Sequence, residues 1–171
     1  MALNIDWTTV LVALFTGVAA AGGPIWIAYR QTKNERASVR SALLSEVGAL
    51  VEIVELRGYL PDLRKYQTYL KALNEEQLAK LNPDDFTAAI PVPSDYNMVY
   101  RANLTRLGGL SPAEAKQLVR FYQLTDSVRV DISEGGILYG GTTNHVAFGE
   151  AADLLETALG IGRALIAPAK P

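Results

Sequence analysis

Residues 39–54 read VRSALLSEVGALVEIV, and the spacing of their apolar side chains decides the fold class. Val39, Leu43, Val47, Leu50 and Val54 recur at i, i+3 and i+4. At 3.6 residues per turn they share one helix face, which Leu44 and Val51 widen, while Arg40, Glu52 and Glu55 fall off its centre. A half-buried strand would alternate apolar and polar residues, and this stretch does not. The segment is therefore a helix that packs against others. Its stripe is wide enough to serve both its own bundle and a neighbouring copy of the chain.

Upstream, no charged side chain lies between Asp6 and Arg30, and Trp7 to Tyr29 reads WTTVLVALFTGVAAAGGPIWIAY. At 1.5 Å per residue this stretch is about as long as a bilayer's hydrocarbon core is thick, roughly 30 Å. Trp7 at one end and Trp26 and Tyr29 at the other place amphipathic rings at headgroup level. Arg30, Lys33, Arg36 and Arg40 follow, whereas Asp6 and the α-amino group carry the only charge before Val10. By the positive-inside rule this predicts a single-pass inner-membrane protein, N-terminus outside, with the C-terminal part cytoplasmic. The same four cations are placed to contact anionic headgroups, at about 1 kcal/mol each.

Competing readings of this stretch each lack something. A signal peptide would find a cleavage site at Ala19-Ala20-Ala21, but its basic n-region is missing, since residues 1–29 hold no Lys or Arg. A core helix requires Gly22-Gly23-Pro24 to end the helix and not merely kink it, leaving Val10 to Ala21 too short to cross. An interfacial helix needs a charged face, and there is none. Within the span Ala13, Gly17 and Ala21 recur every fourth residue, a small-residue face on which two membrane helices approach closely. A homo-oligomer is expected from it.

Downstream the signals are helical. Pro61 either ends the 39–54 helix or opens the next one. Residues 62–93 are the least regular stretch: Leu63, Tyr66, Tyr69, Leu70 and Leu73 allow a short helix, then Asn82-Pro83-Asp84-Asp85 and Pro91-Val92-Pro93 mark loops. This predicts an excursion from the bundle whose tyrosines offer a partner surface. Ser94 is expected to cap a helix carrying Tyr96, Val99, Tyr100, Leu104 and Leu107, ended by Gly108-Gly109. Ser111-Pro112-Ala113-Glu114 has the form of a capping box with proline at the first helical position. The helix it opens buries Leu118, Phe121 or Tyr122, Val128 and Ile132, and stops at Gly135-Gly136. Any of Thr142, Thr143 and Asn144 can cap the last helix, whose broad face holds Ala151, Leu154, Leu155, Ala158, Leu159, Leu165 and Ile166. The expected fold is all-α: a membrane anchor over residues 1–30, then a cytoplasmic bundle of about four helices over 31–171.

The apolar anchor, the stretch RQTKNERASVRSALLSEVGALVEI at 30–53 and RLGGLSPAEAKQLVRFYQL at 106–124 resemble the uncharacterised single-pass membrane proteins of bacteria and their phages. The resemblance implies a small inner-membrane protein with a helical cytoplasmic part, and it brings no catalytic motif.

Composition narrows the function classes. The 171 residues, 49% of them hydrophobic, suffice for one modest core and no second large domain. A net charge of -2 gives no electrostatic case for nucleic acid as a partner. With no cysteine in the chain, thiolate chemistry, disulfides and cysteine-ligated metals are excluded. Gly135 to Thr142 superficially follows phosphate-loop spacing, but Gly141 stands where that loop needs lysine, and no strand precedes it. His145 is the only histidine, and Asp126, Asp131 and Ser133 complete a triad only on paper, without a nucleophile elbow. Neither a catalytic group, a cofactor nor a metal is expected. The functional expectation is a membrane-anchored, non-enzymatic interaction or assembly module that self-associates, with the lipid bilayer as one partner. The alternative is a membrane-active protein of phage or toxin type whose N-terminal helix perturbs the bilayer.

Overall fold

A computed structural model describes the backbone of residues 7–168 and the side chains of residues 29–168. The chain is all-helical over the described residues. It divides into two compact units, Met1–Val39 and Arg40–Pro171. Among the described residues no helix is long and apolar enough to cross a membrane. The expected anchor, and the small-residue face of Ala13, Gly17 and Ala21 within it, rest on side chains that lie outside the described residues.

The second unit is a bundle of four long helices: α1 from Arg40 onward (α1 as a whole is Trp7–Arg57), α2 (Tyr59–Lys71), α5 (Pro112–Ile132) and α6 (His145–Ile166). Two short helices, α3 (Glu75–Leu78) and α4 (Met98–Ala102), and 3₁₀ turns at Pro83–Asp85 and Leu104–Gly109 fill the connections. Helix α6 is the centre, packing along both α2 and α5. It buries Ala147, Phe148, Gly149, Ala151, Ala152, Leu155, Ala158, Leu159 and Gly162. The many small residues let its neighbours come close. A Cβ added at Gly162 would stand 2.6 Å from Val51 Cγ2 and 3.0 Å from the Phe121 ring, so α1, α5 and α6 meet where only glycine fits.

The 39–54 stripe is buried as its spacing predicts: Leu43 and Val47 are fully enclosed, Val39 and Val51 nearly so, and Leu50 and Val54 half-buried. The monomer's own fold thus takes up the stripe, which leaves little of it for a neighbour. Gly58 ends α1 in the left-handed region at φ 69°, donating to the Glu55 carbonyl at 3.2 Å, as a glycine past a helix end commonly does. Pro61 therefore sits in the first turn of α2, where a missing N–H costs no helical bond.

Two stretches fold differently from their sequence signals. The first part of 62–93 is no excursion, because α2 is a full bundle helix that buries Leu63 and Leu70. Irregular chain begins only after it, and there an Asn74–Gln77 capping box opens α3, with Gln77 N donating to Asn74 Oδ1 at 2.9 Å. Ser94 caps no helix: a turn occupies 94–97, α4 starts at Met98, and at Asn103 the helix gives way to a 3₁₀ turn. The Asn103 amide donates to the Val99 carbonyl at 2.8 Å, a side-chain bond that competes with continued helix.

Ser111 caps α5 as expected, its Oγ accepting from Glu114 N at 3.2 Å. The reciprocal half of the box is absent because the Glu114 carboxylate instead accepts from Arg40 Nε at 2.7 Å. Asn144 is the residue that caps α6, accepting from Val146 N at 2.9 Å. Helix α5 ends at Ile132, ahead of the Gly135-Gly136 pair, and it buries both Phe121 and Tyr122.

Two substitutions test this core from opposite directions. Leu43→Ala should lower stability by about 2–5 kcal/mol through the cavity it leaves. Gly162→Leu should destabilise by overpacking, at about 1–3 kcal/mol or more. Urea midpoints of the reconstituted chain read both.

Candidate functional site

Between α1, α2, α5 and α6 lies an apolar cavity of about 510 Å³, roofed by the segment 90–93. Ligand pockets usually fall between about 300 and 1,000 Å³. Helix α1 lines it from Glu46 to Arg57, α2 contributes Leu63, and α5 and α6 add Phe121, Val128, Leu155 and Leu159. Ile90, Pro91, Val92 and Pro93 form the roof because two prolines two residues apart cannot continue a helix, so this connection crosses the opening as extended chain. Leu50 and Val54, half-buried members of the stripe, line this cavity.

Glu46, at one end of the α1 wall, ties three elements together. Its carboxylate accepts from Val99 N at 2.7 Å, Tyr100 N at 2.9 Å and the Tyr122 hydroxyl at 2.6 Å. Two of these donors are N–H groups at the start of α4, which α4 cannot satisfy internally. The cap that Ser94 fails to provide comes instead from a residue more than fifty positions upstream. Tyr100 stacks on Tyr122 with ring centroids 3.9 Å apart and planes 16° apart. Burial above all, and then the hydrogen bond to Glu46, push the Tyr122 hydroxyl far above the usual tyrosine range.

Beside it, Tyr96 hydrogen-bonds Asp126 at 3.1 Å and lies 3.3 Å from the Thr125 hydroxyl, while Arg129 Nε donates to the same Asp126 oxygen at 3.1 Å. Burial pushes the Tyr96 hydroxyl up to about 12, and the neighbouring Asp126 charge adds to the shift. Close by, Asn97 is buried with its Oδ1 unpartnered.

No family model, curated protein or solved structure matches the chain.

The structure disperses the polar residues singled out in the sequence. Asp126 is engaged by Tyr96 and Arg129, and among the described residues no hydrogen bond links Asp126, Asp131, Ser133 and His145 into a relay. The Asp131 carboxyl is held above its usual range, first by burial and then by Glu150. No cluster of three or more potential metal ligands occurs among the described residues.

The glycine-rich segment acts as a clasp. Thr142 N donates to the Phe86 carbonyl at 3.2 Å, and Ala88 N to the Leu138 carbonyl at 2.8 Å, tying 86–88 to 138–142. Gly141, at φ 85°, comes so near the chain that a Cβ would lie 2.5 Å from the Pro83 carbonyl oxygen, and a Cβ on Gly136 would collide with the Val130 and Asp131 carbonyls. Leu138 is fully buried, while Ile137 and Tyr139 are exposed. Tyr69 is half exposed and stacks on Phe86 at 5.8 Å, so this expected partner surface is partly spent on internal packing.

Of the cations expected at headgroups, Arg40 is held by Glu114, with its side chain half exposed. Lys33 and Arg36 are exposed, as is Arg30.

Sequence reading missed the cavity altogether. Its only hint is the pair of prolines at 91 and 93 facing a stripe wider than one neighbour needs.

Glu46→Ala should cost about 1–3 kcal/mol for the stranded Tyr122 hydroxyl alone, and Tyr122→Phe in that background should recover part of it. A double-mutant cycle on urea midpoints measures the coupling, which should be well above zero.

The tyrosines also set an alkaline limit. Their hydroxyls titrate higher in the folded chain than near 10 in the unfolded chain, so the unfolded chain loses its protons first and stability falls as pH rises. The contribution of Tyr96 is fully present below pH 10 and lost between pH 10 and about 12. Tyr96→Phe should flatten the fall of the unfolding midpoint in that window.

Proposed function

We propose that this chain is a membrane-anchored helical binding module. Residues 1–30 hold it in the inner membrane, and the bundle that follows receives an apolar ligand in the cavity between α1, α2, α5 and α6. The observation that carries this reading is the cavity, about 510 Å³ of space that the chain's own side chains line but do not fill. A concave space of this size, lined mainly by apolar side chains with a few polar groups at its ends, has the form that small-molecule sites take. The anchor is supported by the uncharged run from Trp7 to Tyr29, its aromatic ends and the cations beyond. Self-association, in this reading, belongs to Ala13, Gly17 and Ala21, because the 39–54 stripe is largely taken up inside the monomer.

Two measurements on the full chain test the two halves of the proposal. In lipid nanodiscs, a small apolar probe such as benzene should raise the unfolding temperature saturably, read by near-ultraviolet circular dichroism, and Ala158→Leu should abolish the rise by filling the space. An unfolding temperature that ignores the probe overturns the cavity as a binding site. In cells, an alkaline carbonate wash should leave the chain in the membrane pellet, and its release into the supernatant overturns the anchor.

A further inference from the structure

The polar groups lining the cavity are satisfied within the protein, with an exception at one end. The Glu46 carboxylate holds three donors, Tyr96 and Arg129 share Asp126, and the Thr125 hydroxyl donates to the Phe121 and Tyr122 carbonyls at 3.1 and 3.0 Å. Arg57 and Tyr59 also line the cavity, and neither side chain has a hydrogen-bond or ion-pair partner among the described residues. They flank Gly58, whose left-handed conformation turns the chain from α1 into α2, so both face the corner at that end.

From this corner a second, smaller cleft of about 330 Å³ continues. It shares Tyr59, Leu63 and Ile90 with the cavity and adds polar side chains, among them Asp62 and Lys65. An apolar chamber thus opens into a polar vestibule. Glu46 and Arg57 stand eleven residues apart on α1, which at 1.5 Å per residue is about 16 Å. One leaflet of a bilayer's hydrocarbon, half of roughly 30 Å, has about this depth. The α1 wall between these two residues is therefore about as long as one acyl chain. The chamber's charges also differ along its length: Glu46 stands at one end of the α1 wall, Arg129 is paired with Asp126, and the unpaired Arg57 guanidinium stands at the other end of α1.

We propose that the cavity binds a single long-chain fatty acid, its alkyl chain along α1 toward Glu46 and its carboxylate on the Arg57 guanidinium and Tyr59 hydroxyl. A guanidinium presents two parallel N–H groups to a carboxylate, and Glu46 at the far end disfavours the reversed orientation. This inference rests on the binding-module reading above and narrows it to one ligand class.

The test uses the full chain in nanodiscs and two photoreactive probes with the same tail, a diazirine palmitic acid and the corresponding diazirine hexadecanol. Cross-links are mapped by peptide mass spectrometry. The acid should label peptides containing residues 46–57 and 155–159 at about a tenfold lower concentration than the alcohol, the discrimination expected of a hydrogen bond to a charged group. Arg57→Gln should abolish that preference while the alcohol still labels, and Lys80→Gln, which removes a distant surface cation, should preserve it. Equal labelling by acid and alcohol, unchanged in Arg57→Gln, overturns the fatty-acid assignment and leaves an apolar binding cavity standing. If neither probe labels these peptides, the binding-module reading falls as well.

Discussion

Close approach to α6 is the constraint on which the bundle depends. One helix has to lie against α2 and α5 along its length and also meet α1, and only a surface of small residues permits that on several sides at once. Gly162 is its tightest point, pressed by Val51 on one side and Phe121 on the other. Large side chains fill the layer around this axis: Leu43, Val47, Leu70, Leu118, Phe121 and Phe148 are each essentially excluded from solvent. Packing of this kind fixes helix positions to within a fraction of a side chain, because neither a gap nor an overlap is easily absorbed.

Against so rigid a centre, the cavity marks where the packing scheme stops. Helices α1 and α5 converge at Gly162, and the neighbouring Glu46 and Tyr122 join them by a hydrogen bond while Tyr122 stacks on Tyr100 of α4. No helix covers the resulting opening, because Pro91 and Pro93 keep the connection above it extended. Its polar residues are satisfied internally except at the α1–α2 corner. That one-sided arrangement makes it a candidate site and more than a packing defect.

Much of this architecture was legible in the sequence, and the failures share a cause. The i, i+4 stripe, the Ser111 cap and the Asn144 cap are local signals within a few residues, and the structure contains each of them. The start of α4 was misplaced because its cap is Glu46, which no local pattern connects with Val99 and Tyr100. Glu114 looked like half of a capping box, yet Arg40, far away in sequence, claims its carboxylate. The glycines at 135–141 invited a phosphate-loop comparison because conformational freedom is visible in sequence and the backbone being approached is not. Residues 62–71 look irregular because tyrosines and charges dilute the period, although Leu63 and Leu70, one heptad apart, are the two that count.

The clasp between 86–88 and 138–142 has a mechanical consequence. Tyr96, held to Asp126, and the start of α4, held to Glu46, secure the far end of the same connection. Between Ala88 and Pro93, by contrast, no backbone hydrogen bond joins the chain to its surroundings among the described residues. The roof of the cavity is thus a strap fastened at both ends and slack in the middle. Lifting its centre would break none of the bundle's backbone bonds, so the four helices and the strap above them are mechanically separable.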